Sequence, residues 1–380
     1  MRYFALLLTL SLFPLLSLGI DIKKDGLYYN ILSTQDSTIA LFAIDDSLLY
    51  KDVVIPAKVE GWTVTKLLAS SFRNRQVKSI FIPPTISQIA MYCFENAGSR
   101  DIKISDLEAF CNIESADYNS YGNYASPFWA SGNLYLNDEL VKDLIIPESI
   151  TSFRGYYLFS GCRLKTLKAS SLSNISSGTF DCCTLEFVDL SEIDELSIGS
   201  YCFGRNRYLS DVKWPKYVSS IGGEAFKDCK LETLDINVGF IGSKAFLNNK
   251  LTTIKLGSKL NGIGSAAFSG NKNLISIYIE SVTPPNINED AFDIGHFMSA
   301  TLFVPSQSID EYRTAKGWKD FMNIEPYDFS SDIINVYSNV GETAVYSIKG
   351  ERIHYIRSKQ QINSLPKGVY IINGKKVCVK

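Results

Sequence analysis

Three stretches of the chain repeat one hydrophobic pattern: SSIGGEAFKDCKLETLDI at 219–236, GFIGSKAFLNNKLTTIKL at 239–256 and NGIGSAAFSGNKNLISIYI at 261–279. Each holds a short apolar piece ending in Ile-Gly, then Ala-Phe, then an LxxLxL run. The anchoring aromatics are Phe72, Phe94, Phe159, Phe180, Phe203, Phe226, Phe246, Phe268 and Phe292. Their spacing is 20 to 24 residues except for the 65 between Phe94 and Phe159, which the period predicts to be three steps of about 22. Alternation in LxxLxL predicts a short strand with Leu and Ile turned inward. A coil of that length cannot bury its apolar side alone, so neighbouring coils must stack and align their strands into a parallel sheet.

The two ends depart from this pattern. Residues 20–50, including GLYYNILSTQDSTIALFAID, alternate apolar and polar positions and predict a hairpin that caps the first coil. SIDEYRTAKGW at 308–318 predicts a closing helix with Ser308 at its start and Asp310 and Glu311 in the first turn. Beyond residue 330, VYSIKGERIHYIRS and GVYIINGKKVCVK predict short strands with a two-residue Asn-Gly hairpin at 373–374. The start, MRYFALLLTLSLFPLLSLG, has Arg2 before an apolar run, then small residues at Ser17 and Gly19, and reads as a signal peptide over 1–19. The competing reading is a membrane anchor; it is disfavoured because the run is short and Pro14 interrupts it.

The repeated units, together with DLEAFCNI at 106–113, LYLNDELVKDLIIPESITSF at 134–153 and the closing LFVPSQSIDEYRTAKGWKDFMNI at 302–324, resemble the BspA-like leucine-rich repeat family of bacterial surface proteins. The likeness spans roughly residues 50 to 325. It implies a leucine-rich repeat solenoid over 51–325, curved, with a parallel sheet on the concave side and short irregular or helical convex segments. It also implies export, a cell-surface or extracellular place reached via the periplasm, and adhesin-like binding of a protein such as host extracellular matrix. ESADYNSYGNYASPFWASGN at 114–133 departs from the family pattern as a polar, aromatic insertion. The tail, 331–380, resembles the sorting domains of type IX secretion, with VY and GVY strands and a basic end, but it is short and lacks an obvious preceding sandwich half. That likeness implies a small all-β module handed to the secretion machinery; the plainer reading is a β module that packs on the solenoid.

Charge narrows the partners. The 380 residues carry a net charge of −2, while 331–380 hold eight Lys or Arg and three Asp or Glu, so the rest sums to −7. An acidic solenoid disfavours nucleic acid, which needs a basic stripe. Cys162, Cys183 and Cys229 fall three residues after an anchor, where other coils carry Asn206, Asn249 and Asn271, so a buried position serving the turn is expected. Cys93 and Cys202 precede an anchor where others have Ala and read as small apolar residues. A Cys162–Cys183 bridge is the sharper alternative, because equivalent positions on adjacent coils lie about 4.8 Å apart. No CxxC pair or nearby His suggests zinc, no cofactor fingerprint occurs, and Glu192, Asp194 and Glu195 read as a solvated convex face, so no enzyme is expected.

What remains is the outward side of the sheet. The fifth position of LxxLxL reads Phe81, Ile145, Lys168, Asp189, Lys213, Asp235, Lys255, Tyr278 and Phe303. Its middle five alternate in sign and are expected to neutralise one another. Phe187 is the large exception in the small, polar third column. Rigid aromatics make interface hot spots, so the expected ligand-binding residues are Phe81, Ile145, Phe187, Tyr278 and Phe303; either end of the column is a candidate, with Tyr278 and Phe303 preferred because no insertion disturbs their register. The bland reading is that each aromatic packs on its neighbour. A carbohydrate-binding surface protein is the alternative function.

Overall fold

The computed structural model describes residues 22–98, 100–115, 126–128 and 131–329, together with four strands beyond residue 342. The expected signal segment and most of the insertion at 114–133 lie outside the described residues. No described helix is long and apolar enough to cross a membrane.

The chain winds into a parallel-sheet β-solenoid of about 12 turns. The LxxLxL runs form a front sheet in three blocks. The first joins Asp52–Val54, Ser79–Phe81, Asp101–Ile104 and Leu134–Leu136, edged by the antiparallel Glu139–Val141. The second runs from Asp143–Ile145 through Thr166–Lys168 and Phe187–Asp189 to Asp211–Lys213. The third holds Thr233–Ile236, Thr253–Leu256, Ser276–Ile279, Thr301–Pro305 and Asn323–Tyr327. The apolar pieces before the anchors are not irregular or helical, as expected for the convex side, but a second parallel sheet. Asn174–Ile175, Glu195–Ile198, Tyr217–Ile221, Val238–Ile241, Gly262–Ile263 and Asn286–Ile287 pair in that order. Their alternation is less regular than that of the front strands, with a register shift between Leu196 and Ser197, but each buries apolar side chains against the core, as Val218, Ile221, Val238 and Ile241 do.

Glycine sets the closeness of these back strands. A Cβ on Gly199, Gly222, Gly242 or Gly264 would lie 2.3–2.7 Å from backbone nitrogen of the preceding coil. The repeated Ile-Gly is thus a stacking requirement. Between the sheets the anchors form a column: from Phe159 to Phe292 consecutive rings stand 5.1–5.7 Å apart with planes within 21°. Each such contact adds about 0.5–1.5 kcal/mol beyond the area buried. The anchor N–H donates to the next coil, as Phe246 does to Ala267 O at 2.8 Å.

The 65-residue interval holds two lengthened coils, not three. Phe128 is the intervening anchor, stacked with Phe159 at 6.3 Å and 15°, and Gly132 bridges to Cys162. Phe110 meets Phe159 edge-on from the short helix Leu107–Cys111, which, with the insertion, lengthens the first coil. The hairpin Leu134–Leu136 with Glu139–Val141 lengthens the second.

Ile22–Lys24, Leu27–Ser33 and Thr38–Ile44 pair antiparallel at the N-terminal end, and Thr38–Ile44 joins Trp62–Leu67 in parallel. At the other end, helix Ile309–Thr314 does begin after Ser308, but the Ser308 hydroxyl makes no capping bond. The segment is held instead by Tyr312 Oη donating to Ser281 O at 2.8 Å and Trp318 Nε1 donating to Pro285 O at 2.7 Å. Phe321 meets Phe292 edge-on at 5.4 Å and ends the column. In the tail, Arg352–Ile356, Thr343–Ser347, Gly368–Ile372 and Lys375–Val379 pair antiparallel in that order.

Candidate binding face

The outward residues of the front strands stand in register. One column runs Val54, Phe81, Lys103, Tyr135 in the first block, and Ile145, Lys168, Asp189, Lys213 in the second. It continues as Asp235, Lys255, Tyr278, Phe303, Glu325 in the third. Phe81 and Ile145 therefore belong to different blocks, and the fold does not bring them together. Ile145 is 66% exposed at the edge of its block. Phe187 lies between Thr166 and Asp211 in the other column, with the Lys213 ammonium 5.3 Å from its ring centre.

Of the expected self-neutralising ladder, the Lys213–Asp189 rung forms. Lys213 pairs with Asp189 at 3.2 Å, whereas Lys168 reaches Glu192 at 2.9 Å and Lys255 reaches Glu280 at 3.3 Å, both outside the column. Burial raises the Asp189 carboxyl, but hydrogen bonds from Ser191 and Lys213 outweigh it and hold the group below its ordinary value. Lys213 and Asp235 are in separate blocks. Trp214, following the second block, turns inward to meet Phe226 at 5.2 Å, and the next residue, Pro215, has no N–H to donate. Glu192, Asp194 and Glu195 are all exposed, as expected of a solvated face, with Glu192 paired to Lys168, Asp194 to Lys216 and Glu195 opening a back strand.

Tyr278 and Phe303 do come together. Their rings stack at 4.5 Å and 11°, the natural result of side chains directly opposite on parallel strands. Two aromatics that the repeat gave no reason to single out complete the cluster. Tyr327 stands edge-on to both, at 5.0 Å from Tyr278 and 5.9 Å from Phe303, and Phe329 is edge-on to Tyr327 at 4.7 Å. Burial pushes the Tyr327 hydroxyl above its ordinary value. The only signal for these two was their alternation in PYDF after the closing helix. All four remain partly exposed.

A model of the BspA type leucine-rich repeat region matches residues 41–126, 131–249 and 233–340, in six copies. The chain belongs to this family. No curated protein matches it. Among solved structures, a leucine-rich cell surface protein of Faecalibacterium prausnitzii is 19% identical over 81% of this chain and 94% of its own, with a TM-score of 0.39. A leucine-rich repeat protein of Bacteroides ovatus is 19% identical over 80% and 88%, with a TM-score of 0.46. The pneumococcal vaccine antigen PcpA is 15% identical over 81% and 98%, with a TM-score of 0.36.

In these BspA-type repeats the position three after the anchor has a defined task. Cys183 Sγ donates to Phe159 O at 3.1 Å and Cys229 Sγ to Phe203 O at 3.3 Å. Asn206, Asn249 and Asn271 donate through Nδ2 to Phe180, Phe226 and Phe246 O at 2.7–3.0 Å. Each reaches back one coil. Cys162 and Cys183 are both free thiols, so the bridge does not form. Burial pushes the Cys93 and Cys111 thiols up to about 12 and the half-exposed Cys182 up to about 11. Among the described residues no group of three His, Cys, Asp or Glu is placed to hold a metal.

Proposed function

We propose that this chain is an exported, adhesin-like solenoid that binds a protein ligand, such as a host matrix protein, through the Tyr278–Phe303 end of its front sheet. The observation that carries the reading is the cluster of four partly exposed aromatics around Tyr278 and Phe303, three of them on hydrogen-bonded neighbouring strands and Phe329 just beyond the last. Such a surface presents apolar area with little entropy left to lose on binding. Segment 1–19 directs export and the basic tail 331–380 engages the secretion machinery, placing the solenoid at the cell surface.

A sugar platform fits less well, because it needs an open ring face. Tyr278 and Phe303 each cover one face of the other. The test is binding of the full chain to a panel of immobilised matrix proteins and to a glycan array. For whichever matrix protein binds, Tyr278→Ala is expected to cost about 2 kcal/mol or more, as hot-spot aromatics do. Removing the Asp189–Lys213 pair with Asp189→Ala and Lys213→Ala preserves net charge and is expected to cost binding less than Tyr278→Ala does, about 0–1 kcal/mol. A larger loss from the charge pair, or binding confined to glycans, overturns the reading.

A further inference from the structure

The N-terminal end of the solenoid holds a surface cavity of about 440 Å³ whose lining includes Tyr28, Phe42, Ile44, Asp45, Asp46 and Arg75. Small-ligand sites run from about 300 to 1,000 Å³. The Tyr28 and Phe42 rings, both partly exposed, stand 6.2 Å apart at 59° and form an apolar corner. Asp45 is fixed by Ser47 N and Tyr28 Oη, each donating at 2.9 Å, and these bonds hold its carboxyl well below the usual carboxylate range. Arg75 falls three residues after the anchor Phe72, the position from which Cys183 and Asn206 reach back to the preceding coil. It breaks that rule and pairs with Asp46, in the short turn that follows Thr38–Ile44. Lys23 stands 3.4 Å from Asp45, so each of these two carboxylates is met by a cation.

We propose that this cavity binds a neutral mono- or disaccharide unit of a glycan, at a site separate from the Tyr278–Phe303 end and sharing no residue with it. A sugar ring presents an apolar C–H face inside a rim of hydroxyls. The C–H face packs in the Tyr28–Phe42 corner, where aromatic rings offer rigid apolar area. The hydroxyls meet the Arg75–Asp46 pair. A guanidinium fork and an ionised carboxylate each hold more hydrogen-bonding sites than one mutual bond uses, and bonds to charged groups are the strong ones. An anion or a cation has to break Arg75 from Asp46, or Lys23 from Asp45, to gain a partner, whereas a neutral hydroxyl adds to the pairs as they stand. The bonds from Ser47 and Tyr28 to Asp45 set the cavity wall before a ligand arrives, which lowers the cost of binding.

The experiment titrates the full chain with lactose, maltose, cellobiose and N,N′-diacetylchitobiose, and with a sulfated heparin disaccharide as the charged control, read by saturation-transfer NMR. At least one neutral disaccharide is expected to bind, and more tightly than the heparin disaccharide. Arg75→Ala and Phe42→Ala are each expected to weaken that binding at least about fivefold, through a lost hydrogen bond or lost apolar contact. Asp46→Asn, which keeps the shape of the side chain and so the fold of the turn, is expected to weaken it as well. Tyr278→Ala is expected to leave sugar binding unchanged. Absence of binding to all the neutral disaccharides overturns the proposal, as does a preference for the heparin disaccharide. Binding that is indifferent to Arg75→Ala, Phe42→Ala and Asp46→Asn overturns it too. Loss of sugar binding on Tyr278→Ala would put the sugar on the front sheet, and the cavity would not be its site.

Discussion

The position three residues after each anchor shows how one site accepts two chemistries. Asn206, Asn249 and Asn271 donate to the preceding coil and also accept through Oδ1 from Leu185, Leu231 and Leu251 N at 3.1–3.2 Å. Cys183 and Cys229 make the donation through sulfur, a weaker donor. Cys229→Asn is therefore expected to stabilise the fold if the larger amide fits, and Asn271→Ala to destabilise it by about 1–3 kcal/mol by stranding buried groups; urea unfolding measures both. The thiols have a chemical consequence as well. Alkylation of the native chain near pH 8 is expected to spare Cys93, Cys111, Cys162, Cys183, Cys202 and Cys229, which are buried, and mass spectrometry with and without reductant is expected to show no Cys162–Cys183 bridge. Phe246, wholly buried between Phe226 and Phe268, is expected to cost about 3–5 kcal/mol on change to Ala. A loss under about 1 kcal/mol would show that the ring column does not hold the coils together.

At the scale of the element, the period predicted the strands but not everything that interrupts them. Front strands, anchors and the inward Leu and Ile positions follow directly from LxxLxL and Ala-Phe. The second sheet was hidden because VSSIG-type pieces are short, and only stacking shows that each meets its equivalent one coil away. Ile-Gly was the available clue. Gly222→Ala would put a Cβ 2.3 Å from Ser200 N, and is expected to cost about 1–3 kcal/mol from forced separation of the coils. Thermal unfolding of this variant beside the milder Gly223→Ala, whose Cβ would come no nearer than 3.2 Å to Ser243 O, measures the difference. Trp214 illustrates a different failure of pattern reading. A single inward aromatic followed by Pro215 splits the front sheet, and the charge column with it, although the spacing of Lys213 and Asp235 is unremarkable in sequence.

For the whole molecule, stability is distributed along a stack in which each coil contacts its neighbours, so the ends matter as much as the middle. The closing segment seals one end with Phe297, Trp318 and Phe321 against Phe292. Because that seal is complete by Phe321 and the last solenoid strand by Tyr327, removing 331–380 is expected to leave the solenoid folded, with an unchanged far-ultraviolet spectrum less the tail's contribution. If the tail serves secretion as proposed, the truncated chain is expected to be retained in the periplasm. Surface labelling at the full-length level would show that export does not depend on it.

The repeat by itself determined that this chain is a solenoid, which residues face inward and which columns face out, because a coil of about 22 residues has no other way to hide its Leu, Ile and Phe. The stacking of Tyr278 on Phe303 was legible for the same reason, since equal positions on successive coils become neighbours. Tertiary structure alone decided what the period does not encode. It set the two lengthened coils around Phe128, the partners that Lys168 and Lys255 choose outside their column, and the arrival of Tyr327 and Phe329 beside the stack. Long flexible side chains and post-repeat segments are placed by local space and charge, whereas the repeat constrains only the backbone and the buried positions.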